Sequence, residues 1–297
     1  MNPEFVPFEK IDKNKWNGTV HYAPNGNVYG YYWYLRSVVK EWDAWIEGDY
    51  QSVMPIPRKN WSNFELDLIP SCGPYTVNAL TESRIGTFYS KWKSSAGCFS
   101  YPFNDQITML LQKIDGSKLK STSLHHIHLN DSYDELINNY TTETRSEIDH
   151  FNSDDFSFAA IEKPEIFLAQ EKLKDHEKNI LYRLLYNAIQ RGIGSCYKVI
   201  NLKKNTSAFA FFISDINKTY TTYTGSQNDR EAEILLFDAF LKNNSGKPHI
   251  LYSSVANQNI FKKFGGIKSD VLINERVPIT LFQKFKETIS TSYFSGS

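Results

Sequence analysis

Hydrophobic and polar positions along this chain alternate between two periods, and the changes of period mark the elements. SAFAFFI, residues 207–213, is an apolar run of strand length; Asp215, Asn217 and Lys218 follow it as a turn before TYTTYT. Past the loop TGSQND the period becomes helical. Ala232, Leu235, Leu236, Ala239 and Phe240 recur at i, i+3, i+4, i+7 and i+8, and Ser226 with Asp229 has the spacing of an N-cap and its reciprocal partner. HILYSSV then reads as a strand, NQNIFKKF as a two-turn helix, and Gly265-Gly266 as its stop.

The same reading extends to the rest of the chain. In VYGYYWYLRSVV, Tyr31, Tyr34, Leu35 and Val38 have helical spacing. DAWIEGDYQSVMPIP gives two short strands about Gly48-Asp49, and FELDLIP alternates as a third. Thr81 opens a helix through Trp92, CFSYPF is a strand, DQITMLLQKI a helix and STSLHHIHL a long strand. Ser132 and Glu135 form a capping box, TETRSEIDHF continues as a short helix, and FSFAAIEK is a strand. Leu181, Leu184, Leu185 and Ala188 make the buried stripe of the clearest helix, which Gly192 and Gly194 end before the strand YKVINL.

The order helix, three strands, helix, strand, helix, strand therefore occurs twice. The polar NSDD at residues 152–155 is the best linker, so units at 1–150 and 151–297 are expected. A length of 297 residues suits two cores. With 33 basic and 33 acidic residues, no global field draws the chain to DNA or an anionic membrane. Nowhere do 18 apolar residues run together, and the first residues lack a leader-like apolar run, so a cytoplasmic protein with no membrane insertion is expected. Cys72, Cys98 and Cys196 are odd in number and widely spaced, which fits reduced thiols.

The element order resembles the second half of an acyltransferase domain of the GNAT superfamily. SSVANQNIFKKFGG is similar to the closing motif of the Fem-type aminoacyl transferases and their tandem-GNAT relatives. The resemblance implies an α/β (α+β) fold of two GNAT-like units, each a mixed, mainly antiparallel sheet flanked by helices. It also implies transfer of an acyl or aminoacyl group from an activated donor, acetyl-CoA or another acyl-CoA among them, to a small-molecule or peptide amine.

In that family the loop before the helix of the second unit cradles a pyrophosphate, which here points to Gly225, Ser226, Gln227, Asn228 and Arg230. Gly225 stands alone where the family pattern has two small residues, and Asp229 and Glu231 bring opposing charge; an ordinary capped helix is the competing reading. GNAT enzymes commonly place a proton-donating tyrosine four residues before the closing glycine. Phe261 stands there, leaving Tyr252 on the preceding strand as the candidate acid, with Ser254 matching a serine of the relatives. TETRSEI resembles a Thr-Arg-x-Asn-Ile pattern and makes Arg145 a candidate anion ligand, or else the partner of Glu143, Glu147 or Asp149.

His126 and His128 share one strand face and His125 points the other way, so at most two could ligate one ion, and no metal is expected. Lys and Arg are dispersed among acids, which argues against a transfer-RNA donor. The departures at the loop, Phe261 and Tyr252 keep a second expectation open: a protein with this fold that binds a ligand or a partner without catalysis.

Overall fold

The computed structural model describes residues 2–95, 100–115, 120–161, 163–169 and 171–275. Cys98 lies outside them, while Cys72 and Cys196 are free and buried. The amino-terminal half runs β1 (Glu4–Val6), α1 (Lys13–Tyr22), α2 (Tyr32–Val38), β2 (Trp42–Glu47), β3 (Ser52–Pro57), α3 (Asn63–Leu68), β4 (Tyr75–Thr76), α4 (Glu82–Ser94), β5 (Ser100–Phe103), α5 (Asp105–Asp115) and β6 (Lys120–His128). Helices α6 (Tyr133–Asn138) and α7 (Thr142–His150) lead to the carboxy-terminal half. That half runs β7 (Phe156–Ala160), α8 (Glu165–Leu168), α9 (Asp175–Gln190), β8 (Gly194–Asn201), β9 (Thr206–Asp215), β10 (Lys218–Ser226), α10 (Arg230–Asn244), β11 (Ile250–Tyr252), α11 (Gln258–Lys263) and β12 (Ile267–Glu275).

Each half makes four strands in sequence order, β1-β2-β3-β4 and β7-β8-β9-β10, every neighbouring pair antiparallel. The carboxy-terminal half then steps to β11 in parallel, while the amino-terminal half makes a single parallel bridge, Cys72 with Phe103 of β5, from the segment before β4, and there the halves become entangled. The second sheet has the order β5-β12-β6-β11-β10-β9-β8-β7. Its closing strands are exchanged: β6, from the first half, lies against β11, and β12, from the second, lies against β5. β12 and β6 pair with each other over seven residues, second and third from the β5 edge. One sheet thus runs across residue 150.

Two sequence-based expectations are corrected. FELDLIP is not a strand; most of it is α3. Ser62 Oγ accepts from the Glu65 N–H and the Glu65 carboxylate accepts from the Ser62 N–H at 2.7 Å, so a capping box overrides the apparent alternation. The strand that follows β3 is β4, Tyr75–Thr76, instead. Ser226 is not the N-cap of α10 but the end of β10, paired with Ala208. The cap is Asp229, whose carboxylate accepts from the Ala232 N–H. The buried stripe of α10 is broader than the spacing implied, with Ile234, Phe237 and Leu241 buried and Leu235 and Ala239 half-buried.

The helix stripes bury against both faces of the long sheet. One face carries Ala208, Ala210, Phe212 and Leu251 under α10 and α11. The other carries Phe209, Phe211, Ile213 and Tyr220 in a core continuous with α9, α2 and the amino-terminal sheet. α9 is tied to α2 directly, Arg183 and Asn187 donating to the carbonyl and hydroxyl of Ser37. Among the described residues no helix is long and apolar enough to cross a membrane.

Candidate functional site

The carboxy-terminal half opens where β10 leaves β11. The two strands pair in parallel over three positions, Lys218 with Ile250, Thr219 with Leu251 and Tyr220 with Tyr252, and no further. Immediately beyond, the β10 register against β9 slips between Thr221 and Tyr223, a bulge at Thr222 that bends the strand. The other bank stays put: the Ser253 N–H donates to the His125 carbonyl and Ser253 Oγ accepts from the His125 N–H, both at 2.8 Å, so the chain after β11 follows β6. One bank keeps to β9 and the other to β6, and a wedge opens between them. Beside it Thr221 Oγ1 and Asn257 Nδ2 are buried without a hydrogen-bond partner among the described residues, although such groups normally cost free energy to leave unpaired. Asn257 Oδ1 meanwhile accepts from the Ser254 N–H at 2.7 Å.

The tip of α10, beside the wedge, is already engaged. Asp229 is held by Thr206, by Asn201 at 3.0 Å and by the Ala232 N–H at 3.1 Å. Burial pushes its pKa up, but Thr206, the Ala232 N–H, Lys204 and Asn201 outweigh burial and hold it below the usual carboxylate value. Arg230 is clasped by Glu143 at 2.5 Å and Glu147 at 2.6 Å from α7. Lys204 is taken by Glu231 at 2.7 Å. Gln227 extends the sheet, its N–H donating to the Ser207 carbonyl and its Oε1 accepting from the Ser207 N–H. Asn228 has a positive φ of 57° at the turn. A Cβ added at Gly225 would lie 2.4 Å from both Glu171 Oε1 and a Phe209 ring carbon, so this glycine makes room for protein side chains. With Glu147, Asp229 and Glu231 set against two engaged cations, the tip as it stands does not fit a diphosphate, which would have to take Arg230 from its two carboxylates.

No protein-family model matches the sequence, and no curated protein matches it. Solved structures do. FemX is 10% identical with a TM-score of 0.56, over 92% of this chain and 97% of that one. A conserved protein of unknown function from Bacteroides thetaiotaomicron VPI-5482 is 9% identical with a TM-score of 0.56, over 91% and 100%. L-PGS from Bacillus licheniformis is 10% identical with a TM-score of 0.51, over 91% and 93%. The chain has the Fem-like tandem GNAT fold. At such identities the likeness is one of fold.

Within this tandem GNAT fold the remaining candidates fall in different places. Tyr252 belongs to the last strand pair before the wedge, half-buried and stacked on Tyr220 with centroids 5.3 Å apart. Burial and the charge of Asp105 raise its pKa, so its hydroxyl keeps its proton at neutral pH and can donate it. Ser254 is buried on the β6 bank. Phe261 is wholly buried against Phe237, a packing role. Arg145 lies apart on α7; Glu143 and Glu147, its expected ion-pair partners, turn to Arg230 instead. His126 and His128 share a face as their alternation requires, and His126 Nδ1 meets Ser269 Oγ at 3.0 Å.

The structure also adds residues that sequence reasoning passed over. A cleft of about 90 Å³ lies between the halves, on the sheet face opposite α10, lined by Tyr29, Asn104, Asp105, Lys218, Tyr220 and Tyr252 among others. Lys218 read as part of a turn. It is half-buried, and its Nζ donates to the Gly26 carbonyl of the other half at 2.9 Å, a contact no local pattern announces.

Proposed function

We propose that this protein is an N-acyltransferase of the GNAT/Fem-like class, moving an acyl or aminoacyl group from an activated donor to an amine. The observation that carries the proposal is the parting of β10 from β11 after three residue pairs, with Tyr220 and Tyr252 at the mouth of the wedge and buried polar atoms beside it. An extended acyl arm laid in the wedge would find strand edge and hydroxyl there and present its carbonyl at the tyrosine pair. Transfer then forms the N–C bond, breaks the bond from carbonyl carbon to leaving group, and moves one proton from the amine to the departing atom. Holding both reactants at one place supplies much of the rate. Tyr252, protonated at neutral pH, is the residue we assign to protonating the leaving group. Acyl-CoA esters and aminoacyl esters are the donors to be tried, and the α10 tip presents no diphosphate site for the former.

The test is mass-spectrometric detection of acylated amine from a panel of acyl thioesters and aminoacyl esters. Tyr252→Phe should lower turnover on the order of 10²-fold or more with an unchanged melting temperature, the scale of a lost proton donor. Wild-type activity in that variant would remove Tyr252 from the chemistry.

A second reading has its own support: the carboxylates on Arg230 and the capped helix tip suit a protein that binds a ligand without transferring anything. Saturable thermal stabilisation by a donor with no product formed favours that reading.

A further inference from the structure

Lys218 is a half-buried cation in the cleft between the halves, and its ammonium donates to a neutral acceptor, the Gly26 carbonyl. Among the described residues it is in no ion pair. Burying a charge without an opposite partner is costly, and the cost falls here as a downward pressure on its pKa, relieved in part by the fields of Asp215 and Asp105. Asp105 is the second charge lining the cleft, exposed at the start of α5, its Oδ1 accepting from the Gln106 N–H at 2.9 Å. Its field reaches Lys218, His126 and Tyr252, yet it lies outside ion-pair distance of Lys218. Cation and anion therefore line the same cleft with space between them. Asn104, also lining it, is 2% exposed, and among the described residues its Nδ2 has no partner. The floor is aromatic: Tyr220 stacks on Tyr252, and Tyr29 meets Tyr220 edge-on at 5.1 Å.

We propose that this cleft binds a small zwitterion, an amino acid or the amino-acid end of a peptide, with its carboxylate on Lys218 and its amine between the Asp105 carboxylate and the Tyr252 ring. A carboxylate gives the Lys218 ammonium the opposite charge it lacks, and a charge-assisted hydrogen bond to a half-buried ammonium is stronger than one to a carbonyl. An ammonium over a tyrosine face beside a carboxylate is favourable on two counts. The small volume of the cleft excludes a bulky acceptor but not the end of one. The inference rests on the transferase reading for its meaning, since it names the acceptor class and puts the amine where the wedge opens; as a binding site it stands without any donor.

Calorimetric titration of the full chain with L-alanine, glycylglycine, sodium acetate and methylammonium chloride tests it. L-Alanine or glycylglycine should bind saturably, with acetate and methylammonium each at least tenfold weaker. Lys218→Gln should weaken the zwitterion tenfold or more while Lys218→Arg keeps it, and Asp105→Asn should abolish the preference for the zwitterion over acetate. Thermal melts confirm that each variant folds. Undiminished L-alanine binding by a folded Lys218→Gln variant, equal binding of alanine and acetate by the wild type, or no saturable binding overturns the proposal. The two readings fail separately. If a donor is consumed and a simple alkylamine is acylated as well as L-alanine, the zwitterion site falls and the transferase stands; if alanine binds as described and no donor is ever cleaved, the reverse holds.

Discussion

Both halves of the molecule add to four antiparallel strands a parallel contact with a fifth, and they finish it in opposite ways. In the amino-terminal half the parallel contact is one bridge, Cys72 with Phe103, made by the segment before β4, and β4 and β5 themselves belong to different sheets. The room made there is packed with rings: Tyr75, Trp92, Tyr101 and Phe103 are all fully buried, and both tyrosine hydroxyls point at Cys72 Sγ. In the carboxy-terminal half the parting is bordered by Thr221, Ser253, Ser254 and Asn257, small and polar, with two of their atoms unpaired. Topology alone does not make a site. What distinguishes the two partings is which side chains the strands carry into them: aromatics convert one into core, and the other is bordered by buried hydroxyls and amides.

The largest expected effect is that of cutting the chain between 150 and 151. Because β6 and β12 are exchanged between the halves, fragment 1–150 loses the strand partner of β5, and fragment 151–297 loses one of the two partners of β11 and both partners of β12. Each is left with unpaired central strand edges and with half of the core that α2 and α9 share. Neither fragment alone should show a cooperative unfolding transition by circular dichroism, and co-expression should restore one. A cooperative transition in the isolated carboxy-terminal fragment would mean that the wedge is built by that half alone, and the comparison between halves would become one between independent domains.

The rim of the wedge comes next. Asp229→Ala removes the cap of α10 and should cost about 1–2 kcal/mol in urea-induced unfolding. The pH dependence follows in sign. Because the Asp229 pKa is lowered on folding, its contribution is present above the ordinary carboxylate range and is lost as pH falls through the lowered folded value. Wild type and variant should therefore differ most near neutral pH and converge in acid. A constant difference down to acid pH would show that the cap acts through packing and not through its charge.

Much of the architecture was legible. The stripe Leu181, Leu184, Leu185, Ala188 and the caps at Thr81 and Ser132 all stand as their spacing implied, because helix period and capping chemistry are local. The SNFE motif at Ser62 was equally legible as a capping box, but the alternation in FELDLIP masked it. The first strand and α1 carry weak patterns, and α1 gains its order from distant contacts such as Trp16 Nε1 donating to the Gly30 carbonyl. The strand exchange was not legible at all, since pairing between residues 120–126 and 267–273 is set by tertiary packing. The same holds for the site: Tyr252 could be picked out from its neighbours in sequence, whereas the confrontation of Lys218 with Asp105 needs both halves folded.

The smallest effects give the sharpest check, because the two partings should respond to loss of one hydroxyl with opposite signs. Thr221→Val keeps the side-chain shape and removes a buried oxygen that has no partner, so stability in urea should rise by about 1 kcal/mol. Tyr101→Phe removes a hydroxyl that donates to the Gly73 carbonyl at 3.1 Å and approaches Cys72 Sγ at 3.6 Å. Stability should then fall by about 1 kcal/mol, with the Gly73 carbonyl left short of a donor. The same pair separates function from packing: Thr221→Val should slow acyl transfer if the hydroxyl meets a donor in the wedge, and Tyr101→Phe should leave the rate alone at temperatures where both proteins are folded. Shifts of the same sign would mean that Thr221 has found a partner in solution, and that the polar wedge is as filled as its aromatic counterpart.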